Sequence, residues 1–263
     1  MGTRAGAKKH SFDTVVFDLD GVITKTARVH AAAWKETFDE YLRSREKHDG
    51  EPFREFTHEK DYLPYVDGKP RHEGVQSFLE SRGIDIPFGD PRDLPERETV
   101  CGLGNKKNEK FREVLKKDGA EVFDPAVALI RDLKANGIHV AVASSSKNCK
   151  FILESVRLDG LFESRVDGAV SAELGLKGKP EPDIFIRAAE NVGSSPEKAV
   201  VVEDAVSGVQ AGRKGGFGLV IGVARENNEE ELKNSGADVV VTSFQNVDTG
   251  KIEEWFTTKQ KSR

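Results

Sequence analysis

A parallel α/β sheet interrupted by an all-helical insertion is the fold this sequence predicts, on three observations. Beyond Phe123, short β-branched runs alternate with amphipathic helical patterns, the rhythm of strands buried between two helical layers. One further strand, Val15-Val16-Phe17, stands far upstream of the others, separated from them by residues 28–119, which hold helical and loop patterns and no convincing strand. Finally, the strand-like runs end in chemistry-bearing side chains: Asp18 and Asp20 after the first, Glu203 and Asp204 after a later one. Open α/β sheets bind their ligands at such carboxyl ends.

Val15–Phe17 is too short and too β-branched to open a helix. At strand spacing, Asp18 and Asp20 share one face while Leu19 points the other way. After Thr24 the period changes: Ala27–Tyr41 is alanine-rich and sets His30, Trp34 and Phe38 at steps of four on one helical face. Helical stretches near 74–81 and 108–117 follow, and between them the Pro, Asp and Gly content of Ile84–Arg97 predicts a surface loop. Pro125–Asn136 is an amphipathic helix stopped by Gly137, and Ile138–Ala143 a buried strand. The pattern then predicts a helix over Lys147–Arg157, a short strand over Val166–Val170 and a loop, SAELGLKGKPEP. A helix over Asp183–Val192, a strand over Ala199–Val202 and a helix over Ser207–Lys214 come next, and strands over Leu219–Val223 and Asp238–Val241 complete the set. Residues 1–27 and 120–263 are therefore assigned to the sheet domain and 28–119 to the helical insertion. Right-handed crossovers then join the strands. The insertion leaves the sheet immediately after the aspartates, which would set it over the active end.

Composition narrows the function. The 263 residues are 37% hydrophobic and carry a formal net charge of −5, enough for a sizeable core and contrary to a general nucleic-acid or membrane surface. No apolar run approaches the ~20 residues that span a bilayer. The opening MGTRAGAKKHS is basic without an apolar centre, so residues 1–10 read as a disordered tail rather than a secretory signal. Cys101 and Cys149 are far apart with no metal-ligand spacing, which suits a reducing cytoplasm. Cys149 reads as a small buried filler, and a monomer is the default for this size.

Two carboxylates two residues apart repel unless a cation or a proton sits between them, although a turn with two solvated aspartates is the plain reading of that stretch alone. What decides is that four clusters fall at strand ends or helix entries. They are Asp18/Asp20, Ser144 with Ser145, Ser146, Lys147 and Asn148, Lys179 in GKPEPD, and Glu203/Asp204 in VVVEDAVSGVQAG. Acidic strand ends offer the oxygen ligands Mg²⁺ prefers. A hydroxyl and a lysine neutralise phosphoryl oxygens, which is most of what phosphoryl transfer asks of a protein. An aspartate nucleophile divides the transfer into two steps. Its neighbour two residues on can protonate the leaving oxygen and later deprotonate the acceptor.

DLDGVIT, VASSSKN, GKPEPDIF and VVEDAVSGVQAG together resemble the haloacid dehalogenase superfamily, and more narrowly its β-phosphoglucomutase-like subgroup with a helical cap. The likeness runs over about residues 12 to 245. It implies a Rossmann-like parallel sheet core with an inserted all-helical cap domain, the first strand lying between the second and fourth. It implies Asp18 as nucleophile and Asp20 as general acid/base, with Ser144 and Lys179 holding the transferring phosphoryl group. Mg²⁺ would be held by Asp18, the Asp20 carbonyl and Asp204, with Glu203 supporting through water.

A mutase must also bind a second phosphate while the sugar bisphosphate turns round. The resemblance gives His30, Arg71 and Lys107 this task from the insertion, beside Trp34, and Ser146, Lys147 and Asn148 from the core. His30 alone more often signals a satisfied helix histidine; in company with the other positions it reads as a substrate contact. One departure is Lys25, where relatives carry an aspartate. The resemblance implies a Mg²⁺-dependent phosphomutase converting β-D-glucose 1-phosphate to glucose 6-phosphate through an aspartyl-phosphate and the 1,6-bisphosphate. The alternative is a phosphatase with the same core and water as acceptor. Loss of Asp18 or Asp20 would have signalled a non-catalytic binding protein, and both are present.

Overall fold

The computed structural model describes residues 10–50, 52–225 and 227–261; the basic opening through residue 9 lies outside the described residues. The chain divides into two compact units, one ending at Thr24 and resuming at Glu121, the other formed by Lys25–Ala120. None of the helices described is long and apolar enough to cross a membrane.

The first unit is a six-stranded sheet in the order β3-β2-β1-β4-β5-β6. Its strands are β1 (Thr14–Phe17), β2 (His139–Ala143), β3 (Ser164–Val166), β4 (Ala199–Glu203), β5 (Leu219–Val223) and β6 (Val239–Val241). Every pairing is parallel. Phe17 aligns with Val142 on one side and Val202 on the other, so Asp18, Ser144 and Glu203 emerge along one edge. β1, β4 and β5 are wholly buried, which is why their sequences are continuous apolar runs rather than alternating ones. Val16, Ala141, Val201, Phe185, Val209 and Phe217 form part of one core between sheet and helices.

Two local expectations in this unit are corrected. The strand placed over Val166–Val170 ends at Val166, because the buried Asp167 carboxylate accepts from the N–H groups of Ala169 and Val170 and starts a helix over Gly168–Leu174. The helix placed over Lys147–Arg157 begins at Cys149. Serine hydroxyls hold the preceding turn open, Ser144 Oγ accepting from Ser146 N and Ser146 Oγ from Asn148 N. Helices over Glu229–Asn234 and Thr249–Lys261 give almost no sequence signal, since the first buries only Leu232 and the second is charged on most faces.

Among the described residues the second unit contains helices and no strand. Its long helices are Ala27–Asp49, Arg71–Ser81 and Val100–Asp118, with a π-helical turn at His58–Tyr62 running into Leu63–Tyr65. Ala27–Asp49 runs past the expected end at Tyr41, and Gly50 closes it in the left-handed conformation, φ 73°. Phe38, Phe56 and Phe78 form its centre, with ring centroids 4.2–5.0 Å apart. The segment over Ile84–Arg97 has no regular structure, as expected, yet it is pinned: buried Asp93 accepts from Asp90 N, Thr99 Oγ1 and Arg97.

Candidate active site

Asp18 leaves β1 with its N–H bonded to the Val202 carbonyl at 2.9 Å, so the backbone still follows the sheet when the carboxylate appears. The chain then turns tightly, with Gly21 N bonded to Thr24 O at 2.7 Å and the Ile23 and Thr24 N–H groups bonded to Leu19 O. Gly21 is required here twice over. Its φ is +87°, and a Cβ would lie 1.7 Å from Asp204 Oδ2. Asp204 therefore packs its carboxylate directly against the loop that carries Asp18 and Asp20.

Lys179 is the electrostatic centre of this unit. Only 2% exposed, it places Nζ 2.5 Å from Asp18 Oδ1 and 2.5 Å from Glu203 Oε1. Glu203 completes its bonding by accepting from Ala205 N at 2.6 Å, and it too is fully buried. Burial weakens the lysine's charge, but the two carboxylates outweigh that and drive its pKa up. Asp18 is held well above the ordinary carboxylate range, chiefly by burial and also by the negative charge of Glu203 and Asp20, despite the pull of Lys179. One ammonium thus serves more carboxylate than it can neutralise.

The remaining oxygen donors match a hard cation. Among the described residues no three His, Cys, Asp or Glu side chains converge as a ready metal cage. What the loop presents instead is the Asp18 carboxylate, bonded through Oδ1 to Lys179, with Asp204 pressed on the adjoining peptide. Such an all-oxygen, partly open set suits Mg²⁺, which keeps several waters.

Ser144, almost fully buried, lies with Oγ 3.5 Å from Asp20 Oδ2, at the limit of a hydrogen bond. Its own N–H is anchored on the Val166 carbonyl. Asn148 is buried in the turn, while Lys147 is exposed. Burial pushes the Cys149 thiol upward, so it is an unreactive filler beside this turn.

In the helical unit, Lys107 is 4% exposed and its Nζ lies 2.5 Å from His30 Nδ1. Because the ammonium can only donate, Nδ1 of His30 is the acceptor. The pair is boxed by aromatic rings: His30 stacks on Phe111 at 3.8 Å, and Lys107 lies 4.8 Å from the Trp34 ring centroid. Arg71 has partners of its own, Asn105 Oδ1 at 3.2 Å and Asn108 Oδ1 at 2.7 Å. Burial, helped by nearby Arg112, pulls its guanidinium down to about 10. Lys25 is exposed.

Sequence reasoning missed Asn105, Asn108 and Arg225. Nothing in the sequence distinguishes the two asparagines. Arg225 did carry a signal, since it stands two residues beyond the carboxyl end of β5.

Gly208 supports the lysine bridge from the helix over Val206–Lys214, because a Cβ there would fall 1.8 Å from Glu203 Oε1. Gly208→Ala should push that carboxylate off Lys179 and cost about 1–3 kcal/mol, as overpacking does. Urea melts read it, and an unchanged midpoint would mean that Glu203 has room to move.

Residues 12–216 match the haloacid dehalogenase-like hydrolase family. A β-phosphoglucomutase from Mycobacterium bovis is 49% identical over 232 residues, covering 87% of this chain and 88% of that protein. One from Bacillus subtilis is 30% identical over 243 residues, covering 92% and 94%. In fold, the crystal structure of a β-phosphoglucomutase from Clostridium difficile superposes with TM-score 0.74 at 24% identity, covering 96% of this chain and 100% of that one.

Proposed function

From the premise that this chain belongs to the haloacid dehalogenase-like hydrolase family, we propose that it is a phosphomutase, converting β-D-glucose 1-phosphate to glucose 6-phosphate through the 1,6-bisphosphate. The observation that carries this reading is the Lys179 bridge, which holds a buried aspartate at the end of the central strand with its carboxylate bonded to a cation. A mutase rather than another phosphotransferase is favoured by the 49% identity to a β-phosphoglucomutase.

In this mechanism an Asp18 carboxylate oxygen attacks phosphorus, forming a P–O bond as the bond to the sugar oxygen breaks. Asp20 gives a proton to that leaving oxygen, and later takes one from the accepting hydroxyl. Lys179 and Ser144 bind the phosphoryl oxygens, and Glu203 keeps Lys179 charged and in place. Asp18, the Asp20 carbonyl and Asp204 would hold Mg²⁺, with Glu203 behind them; bound there, the ion supplies the positive charge that Lys179 alone cannot. Phosphate contacts are assigned within each unit by itself: His30, Arg71 and Lys107, with Trp34, in the helical unit, and Ser146, Lys147 and Asn148 in the sheet unit.

A ³¹P NMR time course with Mg²⁺, β-glucose 1-phosphate and a trace of bisphosphate tests the proposal. Glucose 6-phosphate should grow without inorganic phosphate. Release of inorganic phosphate as the main product would make the protein a phosphatase instead. Arg71→Ala bears on the second site: it should raise the bisphosphate KM by at least about 10-fold, the worth of one charged hydrogen bond, while a generic phosphate ester is little affected. Equal losses on both would remove Arg71 from that role.

A further inference from the structure

Arg225 has no part in the chemistry above, yet it grips the loop that performs it. Its Nε donates to the Gly21 carbonyl at 2.7 Å and its Nη1 to the Thr242 carbonyl at 3.2 Å. The guanidinium carbon lies 3.8 Å from the centroid of the Phe123 ring. Phe123 stands where the chain resumes after the helical unit. Its N–H bonds the Ile23 carbonyl at 2.8 Å, and Val122 beside it forms an antiparallel bridge with Thr24. One side chain therefore ties together the aspartate loop, the returning chain at Phe123 and the exit from β6. Nη2 is buried and has no hydrogen-bond partner among the described residues. Gly21 is consequently held from two directions, by the Asp204 carboxylate against its Cα and by Arg225 on its carbonyl.

We propose that Arg225 is a positioning residue for phosphoryl transfer, fixing the Gly21 peptide and hence the spacing of Asp18, Asp20 and Asp204. Glycine at positive φ has no intrinsic barrier that would hold one backbone geometry, so the restraint has to come from outside the loop. The N–H groups of Gly21, Ile23 and Thr24 are used within the turn, but the Gly21 carbonyl is held by Arg225. A rigid guanidinium fork can bond two carbonyls at fixed spacing while its face lies on a ring; an ammonium supplies a single point charge.

This rests on the aspartyl-phosphate reading, so the test uses a donor that needs no sugar. The rate and KM of enzyme phosphorylation by acetyl phosphate with Mg²⁺ are measured in wild type, Arg225→Met and Arg225→Lys, alongside their melting curves. Wild type that forms no hydroxylamine-sensitive phosphoenzyme would sink the underlying reading, and the proposal with it. Given a wild-type phosphoenzyme, Arg225→Met should phosphorylate ~100-fold more slowly, the scale expected for a misplacement of about 1 Å, with KM within ~3-fold. Arg225→Lys should recover at least ~10-fold of that loss by bonding one carbonyl. An unchanged rate in Arg225→Met, a loss no larger than its unfolded fraction, or a Lys variant no better than Met would each overturn the proposal.

Discussion

Asp18→Asn is expected to abolish turnover, by ~10⁴-fold or more, while leaving a folded protein, because an amide cannot form the aspartyl-phosphate that divides the reaction. Asparagine fits the same space. It forfeits one of the two carboxylates on Lys179, but also removes the repulsion of Asp18 with Glu203 and Asp20. These changes oppose each other, and the melting temperature should move little. The pH dependence gives the sign. Burial raises the Asp18 pKa above its ordinary 3.8, so the folded state keeps a proton that the unfolded chain has lost. Wild type is penalised progressively as pH climbs above that value, and the variant is not. In EDTA, the difference in melting temperature should therefore shift toward Asp18→Asn as pH rises through the carboxylate range. Retained turnover would overturn the nucleophile assignment; a difference that shifts toward wild type would overturn the charge argument.

The sheet was legible because its strands are short, β-branched and buried, and buried parallel strands advertise themselves as unbroken apolar runs. The sheet order was not in those runs; it came from the resemblance, and the structure has β1 between β2 and β4 as that implied. What failed was local and polar. Asp167 looks like the end of a strand until its side chain is seen capping two N–H groups, and Ser144 and Ser146 delay a helix by bonding the backbone they precede. Such competition between side chain and backbone depends on conformation, which spacing does not reveal. The site shows the same division. Residues such as Asp18 and Lys179 are named by motif, but the bridge that makes Lys179 central joins positions 161 and 24 residues apart. Arg225 lies 204 residues from Gly21, and no motif links them.

Lys179→Met should be the most destabilising single change in the sheet unit. The lysine is sealed between Asp18 and Glu203, and removing one partner of a buried ionic group leaves uncompensated charge worth about 3–5 kcal/mol. Methionine restores the volume and nothing else. Phosphoryl transfer should fall together with stability, by at least ~10³-fold, if the cation proposed to bind the transferring oxygens is lost. The two effects separate in a cycle with Glu203→Gln: the double variant should regain part of the stability, because one stranded carboxylate is gone, and none of the activity. The pH profile distinguishes the charge from mere packing. The folded pKa of Lys179 lies above its ordinary 10.5, so its contribution is whole below that value and is lost as pH rises toward the folded one. Wild type should weaken in strong alkali through this group and Lys179→Met should not. On the acid side the stranded Asp18 can take up a proton, so the variant's deficit should shrink as pH falls. A deficit constant from acid to alkali would mean that Lys179 is held for its shape, and that the bridge is not what organises the site.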